Sequence, residues 1–165
     1  MRDLFFVAMM SFLAIAVGYF LYAYGPESFN VLGRSSDTSF SVLYEGERAV
    51  GIDEPANYRI TSTADLVQLW PLVYDAEGPG VPVVDFTKYE VLAIFDGTHS
   101  SRGYAVSVRN ITKIDSKRTV NILHSKPGET CVVDAQITSP FQIIQIRKND
   151  MPFAHTDTTS TKECT

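Results

Sequence analysis

Residues 4–24, LFFVAMMSFLAIAVGYFLYAY, contain no charged residue, and this run constrains the rest of the chain more than any other feature. As a helix rising about 1.5 Å per residue it reaches about 30 Å, the thickness of a bilayer's hydrocarbon core. Tyr22 and Tyr24 precede Gly25-Pro26, which suits an aromatic belt and a helix stop at the far interface. Arg2 and the amino terminus favour keeping the start of the chain in the cytoplasm. A buried core helix fits less well, because no helical stripe of polar residues interrupts the run. A cleaved signal peptide is the other reading. Ala14-Ile15-Ala16 has the small-x-small form, but apolar residues continue beyond it and Pro26 spoils cleavage after Gly25. The expectation is an uncleaved, single-pass signal-anchor in the inner membrane, with the following domain facing the periplasm or cell exterior. A lipid anchor is excluded, since the only cysteines are Cys131 and Cys164.

With the anchor set aside, a chain of 165 residues leaves room for one domain, enough to bury a core of its own. Arg2 and Asp3 cancel, so the net charge of −5 sits on the part that follows the anchor. An acidic domain has no electrostatic reason to seek nucleic acid or an anionic lipid surface. Ten Phe, eight Tyr and the β-branched runs after Tyr89 suit sheets better than helices.

Residues 26–38 are polar and rich in small residues, a linker between membrane and domain. The domain is then expected over 39–165. Residues 39–44 alternate as a strand, and 45–61 are turn-rich. Ser62-Thr63-Ala64-Asp65 has capping-box spacing with Asp in place of Glu, and Leu66, Leu69, Trp70 and Val73 follow at helical spacing. Pro71 is expected to break or kink this helix, and Trp70 to anchor the core. Residues 90–95 form a continuous apolar run, a central strand buried on both faces. Residues 103–108, 119–124, 131–138 and 141–147 complete the expected strands, and the Thr/Ser-rich residues 156–161 read as a low-complexity tail. The fold class that follows is β-rich α+β: an antiparallel sheet curled into a sandwich or partial barrel with one short helix, preceded by a transmembrane helix.

Several features arrive together along the chain. Leu69-Trp70 lies on the helix, and Val84-Asp85-Phe86-Thr87 leads into the buried strand. Ser101-Arg102-Gly103-Tyr104 opens the next strand. Pro127-Gly128 and Cys131 follow, then Thr138-Ser139-Pro140-Phe141 ahead of an isoleucine-rich strand, and a late cysteine. Over residues 39–164 this resembles the PrcB-type domain, named after a subunit of a bacterial surface-protease complex. Arg102 stands where that family usually has the first glycine of Gly-Gly-Tyr, and the N-terminal lipidated cysteine of many members is absent. The resemblance implies an accessory or stabilising partner of a protease, and cysteines near these two positions.

Two cysteines in an exported domain pair most economically as one disulfide, Cys131–Cys164. A reactive Cys131 is disfavoured, because it alternates with Val133, Ala135 and Ile137 on what should be a core face. The histidines are His99, His124 and His155. No nucleophile-elbow glycines surround Ser100 or Ser101, so a Ser-His-Asp triad with His124 is not supported. A zinc site from His99 and His155-x-Asp157 is outweighed by ordinary loop and tail roles. Asp85 reads as a turn cap for the backbone near Thr87. No catalytic residue, metal ligand or cofactor motif is assigned. The expected function is a membrane-anchored interaction module, not an enzyme, whose partner is an envelope protein such as a protease. Its contact surface would be the loop with Asp96, Gly97, His99, Ser101 and Arg102, joined by the turn with Pro140 and Phe141. The alternative is a small-molecule- or metal-binding domain with hydrolytic activity built on His99 and its serine neighbours.

Overall fold

A computed structural model describes residues 36–114 and 116–164. The anchor expected at 4–24 and most of the linker expected at 26–38 lie outside the described residues. Among those described, no helix is long and apolar enough to cross a membrane. The elements in chain order are β1 (Ser36–Asp37), β2 (Phe40–Gly46), β3 (Ala56–Ile60), α1 (Thr63–Val73), β4 (Tyr89–Phe95), β5 (Ala105–Ile114), β6 (Lys117–Pro127), β7 (Phe141–Arg147) and β8 (Phe153–Lys162). The first sheet contact therefore falls inside the stretch read as linker, where Ser36 and Asp37 pair with Lys113 and Thr112 of β5.

The strands form two four-stranded sheets, ordered β1-β5-β6-β8 and β2-β7-β4-β3, and no closed barrel. β4 and β7 sit at the centre of the second sheet and are buried almost throughout, as the unbroken apolar runs predict. One face of each strand packs under the helix: Val91, Ala93, Phe95, Phe141 and Ile143 meet Leu66, Leu69, Trp70 and Val73. The other face packs against the first sheet, where Leu92, Ile94, Ile144 and Ile146 meet Val106, Val108, Ile111, Val120 and Ile122. The result is three layers, helix on sheet on sheet. Each fully buried aliphatic side chain in these two cores contributes roughly 1.5–3 kcal/mol.

The helix starts as its capping box predicts. The Ser62 hydroxyl accepts from the Asp65 N–H at 3.2 Å, and Asp65 binds that hydroxyl at 2.7 Å. Asp is one methylene shorter than the usual Glu and stops at the side chain of the cap. Pro71 does not split the helix, which runs unbroken from Thr63 to Val73. It lies two residues from the end, so few backbone bonds are at stake, and the burial of Leu66, Leu69, Trp70 and Val73 holds the element. Trp70 is the core anchor its composition suggested, with its indole N–H donating to Pro79 O at 2.7 Å and its ring edge-on to Tyr44. Asp85 caps its turn as expected, accepting from Thr87 N–H at 3.1 Å. Hydrogen bonds from Thr87 and Lys88 hold its carboxyl down at about 2.

Three further expectations are corrected. Residues 131–138 form no strand beyond the single bridge residue Thr138; they make an open loop on which Val132 and Ile137 are 102 % and 64 % exposed. Both edges of β6 are already occupied, by β5 on one side and β8 on the other. The Thr/Ser-rich tail is instead β8, a ten-residue strand, because threonine is a good strand former even where it buries little. Finally, β8 pairs with β6 in parallel while the other pairings between named strands are antiparallel. A parallel pair needs a long crossover, and here β7 supplies it by crossing in the other sheet.

Candidate functional site

At the end of β4 the chain turns sharply. Asp96, 8 % exposed, donates its N–H to Pro140 O at 2.9 Å. Gly97 then takes φ +77°, and a Cβ there would lie 2.9 Å from Asp53 O and Pro55 N, so only glycine turns the chain without strain. The loop next pairs with the entry to β7: His99 N–H donates to Thr138 O at 2.8 Å and Thr138 N–H returns to His99 O at 3.0 Å. The His99 ring lies flat on Tyr104, with centroids 3.8 Å apart.

This turn aims the Asp96 carboxylate at two imidazoles. His99 Nε2 is 2.7 Å from Oδ2, and His124 Nδ1 bonds Oδ1. The far nitrogen of His124, Nε2, is 3.2 Å from Asp157 Oδ1, and Asp157 Oδ2 is 2.7 Å from His155 Nδ1. All three histidines of the protein thus join two aspartates in one alternating chain, His99–Asp96–His124–Asp157–His155. It ties the end of β4 to β6 and β8, and so links the two sheets.

Both ring nitrogens of His124 face carboxylates, and both can donate only when the ring is an imidazolium. Partial burial works against that charge, but the hydrogen bonds and charges of Asp96 and Asp157 outweigh it and raise the His124 pKa. For Asp157 burial likewise opposes ionisation, and the bonds from His124 and His155 overcome it, lowering its pKa. The arrangement holds a proton on His124 and clamps three segments together. Among the described residues no group of three or more His, Cys, Asp and Glu is placed to hold a metal ion. His155 and Asp157 bind each other, and His99 is engaged with Asp96 instead. Neither Ser100 nor Ser101 bonds a histidine side chain among the described residues.

The structure divides the surface expected from sequence. Asp96, Gly97, Pro140 and Phe141 are buried, so they cannot touch a partner directly. Phe141 instead stacks in the core with Phe95, because Ser139-Pro140 delivers it straight into β7. His99 and Ser101 are half-buried, and Arg102 is exposed and ion-paired with Glu47 at 2.7 Å. The left-handed turn that follows falls on Gly103, φ +99°. The loop 131–137 joins this surface: Arg102 N–H donates to Asp134 O at 3.0 Å. Its base is fixed by the disulfide Cys131–Cys164, with Cα atoms 5.2 Å apart.

A second polar group lies toward the opposite ends of the same strands. Glu90 is 0 % exposed and sits between two guanidiniums: Arg59 Nε is 2.7 Å from Oε2 and Arg118 Nη2 is 2.7 Å from Oε1. The Arg118 contact is close in charge but not aligned as a hydrogen bond, since Oε1 has no hydrogen-bond partner among the described residues. Arg118, itself 2 % exposed, donates to the carbonyls of Arg147, Asn149 and Met151 and lies 3.8 Å from the Phe153 ring centroid.

His124 and Asp157 could have been found from spacing alone. His124 continues the inward series Val120, Ile122, and His155 and Asp157 are two apart, on one face of any strand. What hid them was the reading of residues 156–161 as a low-complexity tail.

No curated protein and no solved structure matches the chain. A family model does match, over a span that holds Asp96, His99, His124, the loop 131–137 and Cys131, and that ends before β8. That family is the PrcB C-terminal family, matched over residues 91–147, from within β4 to the end of β7, and it is the one the sequence resembles.

Proposed function

We propose that this chain is an extracytoplasmic, membrane-anchored interaction module that partners a protease, and that it does no chemistry itself. The observation that carries the reading is the match of residues 91–147 to the PrcB C-terminal family. The disulfide accords with an oxidising compartment, and the uncharged run 4–24 with an anchor. The contact surface is the pair of loops 98–102 and 131–137. They join at Arg102–Asp134 and offer Arg102, Val132 and Ile137 to solvent. Exposed aliphatic side chains beside an arginine, on loops held by a rigid sheet, are what an interface needs.

The experiment is affinity capture of the full-length chain from detergent-solubilised membranes, with partners identified by mass spectrometry. A protease recovered by wild type and lost on Val132→Asp or Arg102→Ala, with unfolding unchanged, supports the reading. Recovery of the same proteins by wild type and both variants would remove this surface, and the absence of any protease would remove the function.

A further inference from the structure

The two sheets part along one edge, where β3 flanks β4 and β8 flanks β6. The gap is a cleft of about 190 Å³. Its floor is aliphatic: Leu92 and Ile94 from one sheet, Val120 and Ile122 from the other. Asn57 and Arg59 of β3 form one lip, and Phe153 and His155 of β8 form the other. Asn57 and His155 also border an adjoining open cavity that reaches Asp157 and His124. An apolar floor with a few convergent polar groups is the usual form of a small-molecule site.

Charge distinguishes the two ends. At one end Arg59 and Arg118 share the single carboxylate of Glu90, leaving one positive charge in excess within that group. Arg118 is sealed under Phe153, whereas Arg59 is 39 % exposed and lines the cleft. Its Nε is committed to Glu90 and its Nη2 to Asn149 O at 3.2 Å. Its Nη1 has no partner among the described residues, and the Asn57 amide lies on the same lip. At the other end Asp157 carries negative charge, with both oxygens already bonded to His124 and His155.

The geometry points to a binding site for a small organic carboxylate, its carboxylate on Arg59 and Asn57 and its apolar part over the floor. The volume sets the size of that part: a dry cavity of about 150 Å³ takes up benzene, so this cleft holds one ring or a short branched chain. At the far end two carboxylates, Asp96 and Asp157, flank the one imidazolium of His124, so that end disfavours an anion and fixes the direction of the ligand. An extended peptide adding to the outer edge of β3 or β8 is the competing occupant, and the test separates it from a small carboxylate. This inference is independent of the protease-partner reading; loss of either leaves the other standing.

The test is a titration of the full-length chain with phenylacetate, followed by methyl NMR, with phenylacetamide as the neutral control. Saturable shifts are expected at Leu92, Ile94, Val120 and Ile122. The amide should bind about tenfold more weakly, as for the loss of one charge-assisted contact of about 1.4 kcal/mol. Arg59→Gln should bring phenylacetate down to the amide's level without changing the amide. Asn57→Trp, which lays an indole over the mouth from an exposed strand position, should abolish both. Equal binding of acid and amide to wild type would overturn the proposal. So would shifts confined to other methyls, shifts that persist in Asn57→Trp, or tighter binding of an uncharged, capped peptide to the same methyls.

Discussion

Glu90 has no access to water and is held by two arginines, one of them buried with it. Such a group is costly to disturb, because removing one partner strands the others. Glu90→Gln should lower stability by about 3–5 kcal/mol, read as a fall in the urea midpoint at unchanged slope. The histidine–aspartate chain has its own pH signature. His124 has a raised pKa in the folded protein, so its contribution is full below the unfolded value and fades as pH rises through the folded one. Asp157 has a lowered pKa, so its contribution is full above the unfolded value and fades as pH falls through the folded one. Both are present together between about pH 4 and 6.5, the ordinary aspartate and histidine values. The urea midpoint should therefore decline as pH rises above about 6.5, and His124→Gln should flatten that limb. An identical slope in the variant would place the decline elsewhere. Part of this was legible residue by residue: Asp96, His99 and Arg102 stood out because they punctuate a loop between apolar runs. That Asp96 faces inward was not, since it depends on the Gly97 turn and on where β6 lies in space.

At the level of elements, continuous apolar runs translated directly into β4 and β7, and the capping box into α1. Strands that bury little were lost to view. β3 hid in a turn-rich stretch because its exposed residues, Asn57, Tyr58 and Arg59, carry no hydrophobic alternation. β8 hid because its threonines look like a soluble tail. The opposite error, a strand at residues 131–138, came from an alternation that satisfies the period of a strand where neither edge of β6 is free. β8 is held by the β6 ladder, by His124–Asp157 and by the disulfide, which closes a sequence separation of 33. In the chain-entropy model such a loop is worth roughly 3–4 kcal/mol. Non-reducing mass spectrometry should show joined Cys131 and Cys164 peptides. Reduction should lower the melting temperature and speed amide exchange in β8 more than in β4. Equal acceleration in both strands would mean that the bond supports the whole domain instead of its last strand.

For the molecule as a whole, the proposed anchor predicts that the full-length chain stays with membranes through carbonate and high-salt washing; release into the wash would favour cleavage of the N-terminal run. The parallel crossover carries one more consequence, in time. β6 pairs on one side with β5, its neighbour in sequence, and on the other with β8, which is reached only after β7 in the opposite sheet, so the β6–β8 ladder closes the longer loop and is expected to form last. That docking is what holds Cys131 and Cys164 within bonding range in the folded protein. The bond is thus a covalent record of a completed topology: alkylation-trapped refolding intermediates should carry two free thiols for as long as the first sheet lacks its outermost strand.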